Sequence, residues 1–188
     1  GSSAAGLVVL SPLFIVVSLL IWLSDRGPVF FRQERVGRHG RMFRIHKFRT
    51  MRVDNRGALV TSANDARITP VGAFLRKWKL DELPQLIDVL VGDMSVVGPR
   101  PEVPHYVDLW DPNAREQILA IRPGISDPAA IVFRNEQDEL AAAPDPDAHY
   151  VNVILPEKVE MYHKYVQEMS FIGDLKLIFR TFAAIAKD

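Results

Sequence analysis

The hydrophobic positions fall in separate blocks along the chain, and each block has its own period. The first is continuous. Residues 4–23, AAGLVVLSPLFIVVSLLIWL, carry no charge, and as a straight helix they match a bilayer core of about 30 Å. Pro12 lies near the centre, where it removes a backbone donor and crowds the preceding turn, and Ser11 offers a hydroxyl to the carbonyl so freed. The pattern therefore predicts a helix kinked at Ser11-Pro12. It either spans the bilayer or forms two half-helices that enter one leaflet and turn back. Pro is tolerated in membrane helices, so the residues alone favour the ordinary spanning form. A buried core helix fits less well. A signal peptide is disfavoured, because no basic run precedes the block and no small-residue cleavage pattern follows it.

The next blocks alternate. Residues 29–31 and 42–48 read as two short strands joined by a turn at Arg38, His39 and Gly40. On the second strand Phe43, Ile45, Lys47 and Arg49 share one face, while Arg44, His46 and Phe48 share the other. Lys47 thus stands in line with two core-type residues. A cation there is costly unless paired, and a phosphate or Asp81 would answer it. The plainer reading, favoured by the strand alone, is a lysine at a strand end reaching water.

Helical periods follow. Phe74, Leu75 and Trp78 recur after Pro70 as packing residues, core or interfacial. Leu80, Leu83, Leu86, Ile87 and Leu90 continue the pattern, with Pro84 acceptable only near a new helix start. That places Asp81 and Glu82 in or near a first turn, where the helix dipole favours negative charge. In the tail, Leu175, Ile178, Phe179, Phe182 and Ile185 form one face, with Lys176, Arg180 and Lys187 away from its centre. Such an amphipathic helix either packs on the domain or lies in the membrane interface. Residues 53–68 and 141–149 are polar or turn-rich and read as surface loops.

Composition sharpens this picture. A chain of 188 residues suits one domain with a sizeable core, here residues 25–188 behind a membrane segment at 1–24. The absence of cysteine excludes disulfides, thiolate catalysis and cysteine zinc sites, and fits a cytoplasmic-facing protein. The net charge of zero conceals a division: residues 25–79 hold 14 Lys and Arg against 4 Asp and Glu, and the later residues reverse the balance at 9 against 19. A basic stretch beside an apolar segment points to anionic headgroups or phosphorylated ligands, with nucleic acid the lesser alternative. His39, His46, His105, His149 and His163 have no metal-binding spacing and read as surface or core residues.

The candidate chemistry lies in KWKLDELPQLIDVLVGDMSVVGPRPE, residues 77–102. An Asp-Glu pair is usually solvated helix surface. Here Pro99 and Pro101 restrict the backbone on both sides of Arg100, which fixes where its guanidinium reaches. The preceding half supplies the cations that a multiply charged phosphate needs, and an apolar anchor brings the site to a lipid surface. Together these features suggest phosphoryl chemistry at a membrane.

Beyond that point the chain resembles a known family. GPVFFRQERVG, FRIHKFRTM, LDELPQL, GDMSVVGPRPE, RPGIS and SFIGDLKLIF occur in the order found in bacterial sugar transferases, the monotopic polyprenyl-phosphate phosphoglycosyl transferases. The resemblance covers nearly the whole chain. It implies transfer of a phosphosugar from a UDP-sugar to undecaprenyl phosphate, with release of UMP, as the first step of a surface glycan: exopolysaccharide, capsule, O-antigen or glycoprotein. The implied fold is a helix-rich α/β domain with a short β-hairpin, amphipathic interfacial helices and a re-entrant N-terminal helix broken at Ser11-Pro12. The resemblance thus reverses the spanning preference and sets the domain on the cytoplasmic face of the bacterial inner membrane.

By the same resemblance Asp81 is the nucleophile, forming an aspartyl phosphosugar, and Glu82 helps hold Mg²⁺. A carboxylate is ionised at neutral pH, and covalent catalysis divides one hard transfer into two simpler ones. Mg²⁺ typically takes one or two carboxylates plus phosphate oxygens and water. Lys47 and Arg100 match phosphate-binding positions, Asp174 a metal or cation partner, and Arg134 an arginine linked to the nucleotide. The expected partners are the UDP-sugar, undecaprenyl phosphate and inner-membrane lipids, with no nucleic acid and a homodimer left open. The chain departs from the common pattern at DPAAIVFRNE and in a longer insertion over 139–155, both on the implied donor side, so the sugar is not carried over. Two rivals remain from the residues alone: a membrane-bound basic adaptor without chemistry, and a phosphohydrolase using the same aspartate.

Overall fold

The computed structural model describes residues 2–53 and 65–185, so most of the loop expected over 53–68 lies outside the described residues. Helix α1, Ser2–Asp25, contains the apolar block, and its stretch Gly6–Asp25 is long and apolar enough to cross a membrane. The helix is unbroken through Pro12. Pro12 has no N–H for the Val8 carbonyl four residues back, and the Ser11 hydroxyl donates to that carbonyl at 2.7 Å instead.

After α1 the chain turns at Arg26, whose φ is 51°. Arg49 grips the exit with a two-pronged pair to Asp25 and a 2.5 Å bond to the Pro28 carbonyl. The hairpin follows: β1, Phe30–Val36, pairs antiparallel with β2, Met42–Phe48, from Phe30↔Phe48 to Val36↔Met42. β2 has the expected bounds. β1 extends well past residue 31, because Arg32 to Arg35 carry the ladder along a largely exposed edge and show no apolar alternation. The turn is a short 3₁₀ segment, Arg38–Gly40, with His39 and Gly40 at φ of 57° and 74°.

The two faces of β2 are covered by different neighbours. Phe43 and Ile45 pack with Met94. Phe48, on the opposite face, is sealed by Val17 and Ile21 of α1 and by Leu75, with Phe14 edge-on at 5.1 Å. Leu75 belongs to α2, Pro70–Lys77, which starts at Thr69, whose hydroxyl accepts from the Gly72 amide at 2.9 Å. Phe74 and Trp78 separate from Leu75 and remain exposed.

Lys79 then enters the left-handed region at φ 54°, a 3₁₀ turn runs over Leu80–Glu82, and α3, Gln85–Val91, begins behind Pro84. Asp81 and Glu82 therefore precede α3 and do not form its first turn. Pro84, lacking an N–H, separates the two pieces. The burial of α3 runs against the usual helix pattern: Gln85 and Asp88 are buried, while Leu90 and Val91 are exposed and Leu86 faces Gly6 of α1.

A second sheet pairs β3, Ser95–Val97, in parallel with β4, Gly124–Ser126. Three-residue strands leave no readable alternation, and neither was expected. The two backbone segments pass so closely that a Cβ on Gly124 would stand 2.1 Å from the Gly98 nitrogen. Between them lie α4, Pro104–Val107, and α5, Pro112–Leu119. After β4 come α6, Ala129–Val132, α7, Glu136–Ala142, α8, Pro146–His149, a π-helical turn over Tyr150–Ile154, and α9, Leu155–Glu168. The stretch expected as loop over 141–149 thus contains a helical turn, capped by the Asp145 carboxylate at 3.0 Å from the Ala148 amide. Val107, Trp110, Ile118, Leu140, Ile154 and Tyr162 form a core remote from α1.

Helix α10, Phe171–Ile185, closes the described chain. It packs through Leu177 and leaves Leu175, Phe179 and Phe182 open, Phe179 at 70% exposure. The architecture is the expected helix-rich one with a short antiparallel strand pair and one apolar N-terminal helix.

Candidate active site

Glu82 is the centre of a buried charge cluster. Lys47, near the end of β2, donates from Nζ to Glu82 Oε1 at 3.1 Å. Arg100, from the turn after β3, forks across the same carboxylate, with Nη1 3.2 Å from Oε2 and Nη2 bonded to Oε1. The structure thus answers the cation on the apolar strand face: Lys47 is paired, not solvated, and its partner is Glu82 and not Asp81. Burial opposes the charge of Glu82, yet Arg100 and Lys47 hold its carboxyl well below the usual range. Burial lowers the Lys47 ammonium below its ordinary value, and Glu82 opposes that only in part.

Asp81 presents the complementary case. It is 8% exposed, and its Oδ1 is buried without a hydrogen-bond partner. Burial, and then the negative Glu82 beside it, push its carboxyl above the ordinary range, while Lys47 and Arg76 pull it back. An acceptor oxygen held dry and unpartnered is costly to the fold, which suits a group reserved for a ligand. Of the two acids, Glu82 has both oxygens engaged by Lys47 and Arg100, and Asp81 Oδ1 is the oxygen left without a partner, so a magnesium ion there would have to be held jointly with substrate phosphates. They do not make a protein-only cage, and the described residues contain no group of three or more acids or histidines placed to hold a metal.

The remaining expected residues separate. Asp174 accepts from the Tyr165 hydroxyl at 2.8 Å and pins the first turn of α10 to α9. Arg134 is exposed between α6 and α7. Ser11 and Pro12 lie in α1, as described.

Several residues in the cluster were not singled out from sequence. The Asp88 carboxylate accepts from the His46 amide at 2.9 Å and lies 2.6 Å from its Nδ1, fastening β2 to α3 one residue before Lys47. Here the buried face of α3 was the available signal: Asp88 recurs one helical turn beyond Gln85. Arg76 donates to the Thr50 hydroxyl at 2.9 Å and stands within electrostatic reach of Asp81. Glu102 accepts from Tyr150 at 2.6 Å and from the Val103 amide at 3.2 Å, while Arg35 bonds the Pro101 carbonyl at 3.2 Å. These bonds hold the turn that presents Arg100. Behind Arg100 lies Asp127, which the β3–β4 pairing brings near although 27 residues separate them.

A carboxylate with one unpartnered oxygen, beside a second one paired with two cations, makes a charged cluster next to an apolar helix, as phosphoryl chemistry would require. Sequence comparison agrees with that class. The family model described as bacterial sugar transferase matches residues 1–188, and the chain belongs to that family. It is 38% identical over 180 residues to the UDP-glucose:undecaprenyl-phosphate glucose-1-phosphate transferase of Escherichia coli K12, covering 93% of this chain and 36% of that protein. Identity is 38% over 179 residues to the UDP-N-acetylgalactosamine-undecaprenyl-phosphate N-acetylgalactosaminephosphotransferase of Aeromonas hydrophila, covering 93% and 39% respectively. The exopolysaccharide production protein ExoY of Rhizobium meliloti is 35% identical over 201 residues, covering 98% of this chain and 81% of ExoY. The chain therefore spans little more than a third of the first two relatives and most of the third.

Proposed function

We propose that this protein transfers a phosphosugar from a UDP-sugar to undecaprenyl phosphate, as the names of its relatives suggest. The observation that carries the reading is Asp81: a buried carboxylate with an unpartnered oxygen, next to a carboxylate whose charge Lys47 and Arg100 have already compensated. In the first step an Asp81 oxygen forms a bond to the sugar-bearing phosphorus. The bond from that phosphorus to the bridging oxygen breaks, and UMP leaves with its electron pair. In the second step an oxygen of the lipid phosphate bonds to the same phosphorus. The Asp81 acyl phosphate bond breaks between oxygen and phosphorus, restoring the carboxylate and leaving a lipid diphosphosugar. Two displacements at one phosphorus let each bulky substrate react in turn.

Lys47, Arg76 and Arg100 supply cations around the attacked phosphoryl group, where catalysis consists mostly of positioning and charge compensation. A bound Mg²⁺ supplies further charge neutralisation to the diphosphate. Glu82 and Asp81 are the residues that would hold it.

The reading includes a monotopic arrangement at the cytoplasmic face. Gly6 lies against Leu86, and Ile21 packs with Phe48 and Leu75, so the domain flanks α1 over about 22 Å of its length. A perpendicular spanning helix would draw α2 and α3 into the bilayer with it. Entry into one leaflet, with a bend at Ser11-Pro12, instead lays the exposed Phe74, Trp78, Leu90, Phe179 and Phe182 at the interface.

The test is an incubation of the membrane-inserted protein with UDP-sugars, Mg²⁺ and undecaprenyl phosphate. The reading expects UMP and a lipid diphosphosugar, a phosphosugar mass adduct on intact protein when donor is supplied alone, and loss of both with Asp81→Asn. A nucleotide-sugar hydrolase would release product regardless of lipid, and an adaptor would release none. Full turnover by Asp81→Asn removes the nucleophile assignment.

A further inference from the structure

Of the buried acids that the proposed reaction does not use, Asp88 and Glu102 are bonded to His46 and to Tyr150 and Val103, whereas Asp127 keeps one oxygen without a partner. Asp127 is 1% exposed, sits in the turn after β4, and points one oxygen at the Ala130 amide, 2.8 Å away, at the start of α6. Its other oxygen, Oδ2, is buried with no hydrogen-bond partner and lies 4.0 Å from Arg100 Nη1. The Tyr162 hydroxyl is also buried, without a partner, and feels the Asp127 charge. A buried carboxylate oxygen without a donor is expensive. It is explicable when its partner is sometimes elsewhere.

Arg100 is that partner. In this structure its guanidinium is committed to Glu82 through both Nη atoms. To bind a phosphate it must give up part of that fork, and a partly buried guanidinium leaving one carboxylate is better held when another anion is within reach. Asp127 stands beside Nη1 at a distance slightly too long for a bond, so a small shift of Arg100 away from Glu82 closes the gap. We propose that Asp127 is a positioning residue that receives one edge of Arg100 as it moves from Glu82 to the donor diphosphate. The inference rests on the phosphosugar reading of the site.

Simple electrostatics makes the opposite prediction, which gives the test its sign. A buried negative charge beside a diphosphate site repels the ligand, so removing it should tighten nucleotide binding. If Asp127 releases Arg100 from Glu82, removing it weakens binding instead. Asp127→Asn removes the charge while keeping an oxygen for the Ala130 amide, and Asp127→Ser does the same in a smaller side chain. UDP binding by the full chain in detergent, titrated calorimetrically at fixed Mg²⁺, is expected to weaken about tenfold in both variants. In an Arg100→Gln background the same substitutions are expected to change UDP affinity by less than about twofold, because the residue they act through is gone. A purely structural Asp127 would show equal losses in both backgrounds. Unchanged or tighter UDP binding by Asp127→Asn, or equal losses with and without Arg100, overturns the inference while leaving the transferase reading intact. A wild-type chain that binds no UDP overturns that reading and this inference with it.

Discussion

Lys47 and Arg100 approach one carboxylate from different parts of the chain, so each cation can be removed while the other still compensates Glu82. Lys47→Met should therefore leave the fold in place and lower UMP release by about 10²-fold, the scale of one electrostatic contact to transferring charge. Arg44→Met, three residues away on the exposed face of the same strand, should change the rate by less than about twofold. Equal rates in the two variants would reduce Lys47 to a structural ion. A second residue-scale expectation concerns acid stability. The Arg67 side chain, wrapped on Asp65 through Nε at 2.8 Å and Nη2 at 2.5 Å, holds that carboxyl below its ordinary range. A depressed folded value means the stabilisation is complete above the unfolded carboxylate value of about 4 and disappears as pH falls below it. Asp65→Asn should remove on the order of 1 kcal/mol at neutral pH and flatten the acid side of the melting curve. An unaltered acid limb would show that the Asp65–Arg67 clasp contributes nothing.

Among the elements, α1 carries the sharpest prediction. Ser11 and Pro12 form a matched pair, one removing a donor from Val8 and the other replacing it. Alanine at both positions restores an ordinary helix and removes the reason for a bend. The chain has no cysteine, so a single one introduced before residue 4 reports topology in intact cells. It should resist an impermeant external reagent in the native sequence and react in part once Ser11-Pro12 is lost. External labelling of the native sequence would make the segment a spanning helix. The same helix shows what pattern reading reaches. A continuous apolar block and a strand with its alternation at Phe43 and Ile45 are local signals, and both elements were legible. The β3–β4 pair was not, since three-residue strands show no period and their pairing depends on Gly98 and Gly124 meeting across a long connection. For that reason Asp81, Glu82 and Arg100, which fall in one stretch of sequence, could be picked out as candidates, but Asp127 could not. α3 misled in a different way: its apolar positions at Leu86 and Leu90 were correctly periodic, but they face α1 or the outside, and the polar stripe of Gln85 and Asp88 is the buried one.

The molecule as a whole divides along β2. At its turn end the strand belongs to the polar domain, and at Phe48 it belongs to the packing beneath α1. Lys47, paired with Glu82, and Phe48, sealed by Val17 and Ile21, are consecutive residues. The step from charged site to apolar anchor is therefore a single peptide unit, roughly 3.3 Å along a strand. On the proposed reading an acceptor phosphate need not be lifted out of the headgroup layer to be reached, and encounter becomes a search in two dimensions. Turnover should then follow the mole fraction of undecaprenyl phosphate in the surface that carries the protein, whatever its bulk concentration. Diluting the acceptor with inert detergent or lipid at constant total amount should slow the reaction in proportion, whereas adding water to the same micelles at saturating donor should leave the rate per protein unchanged.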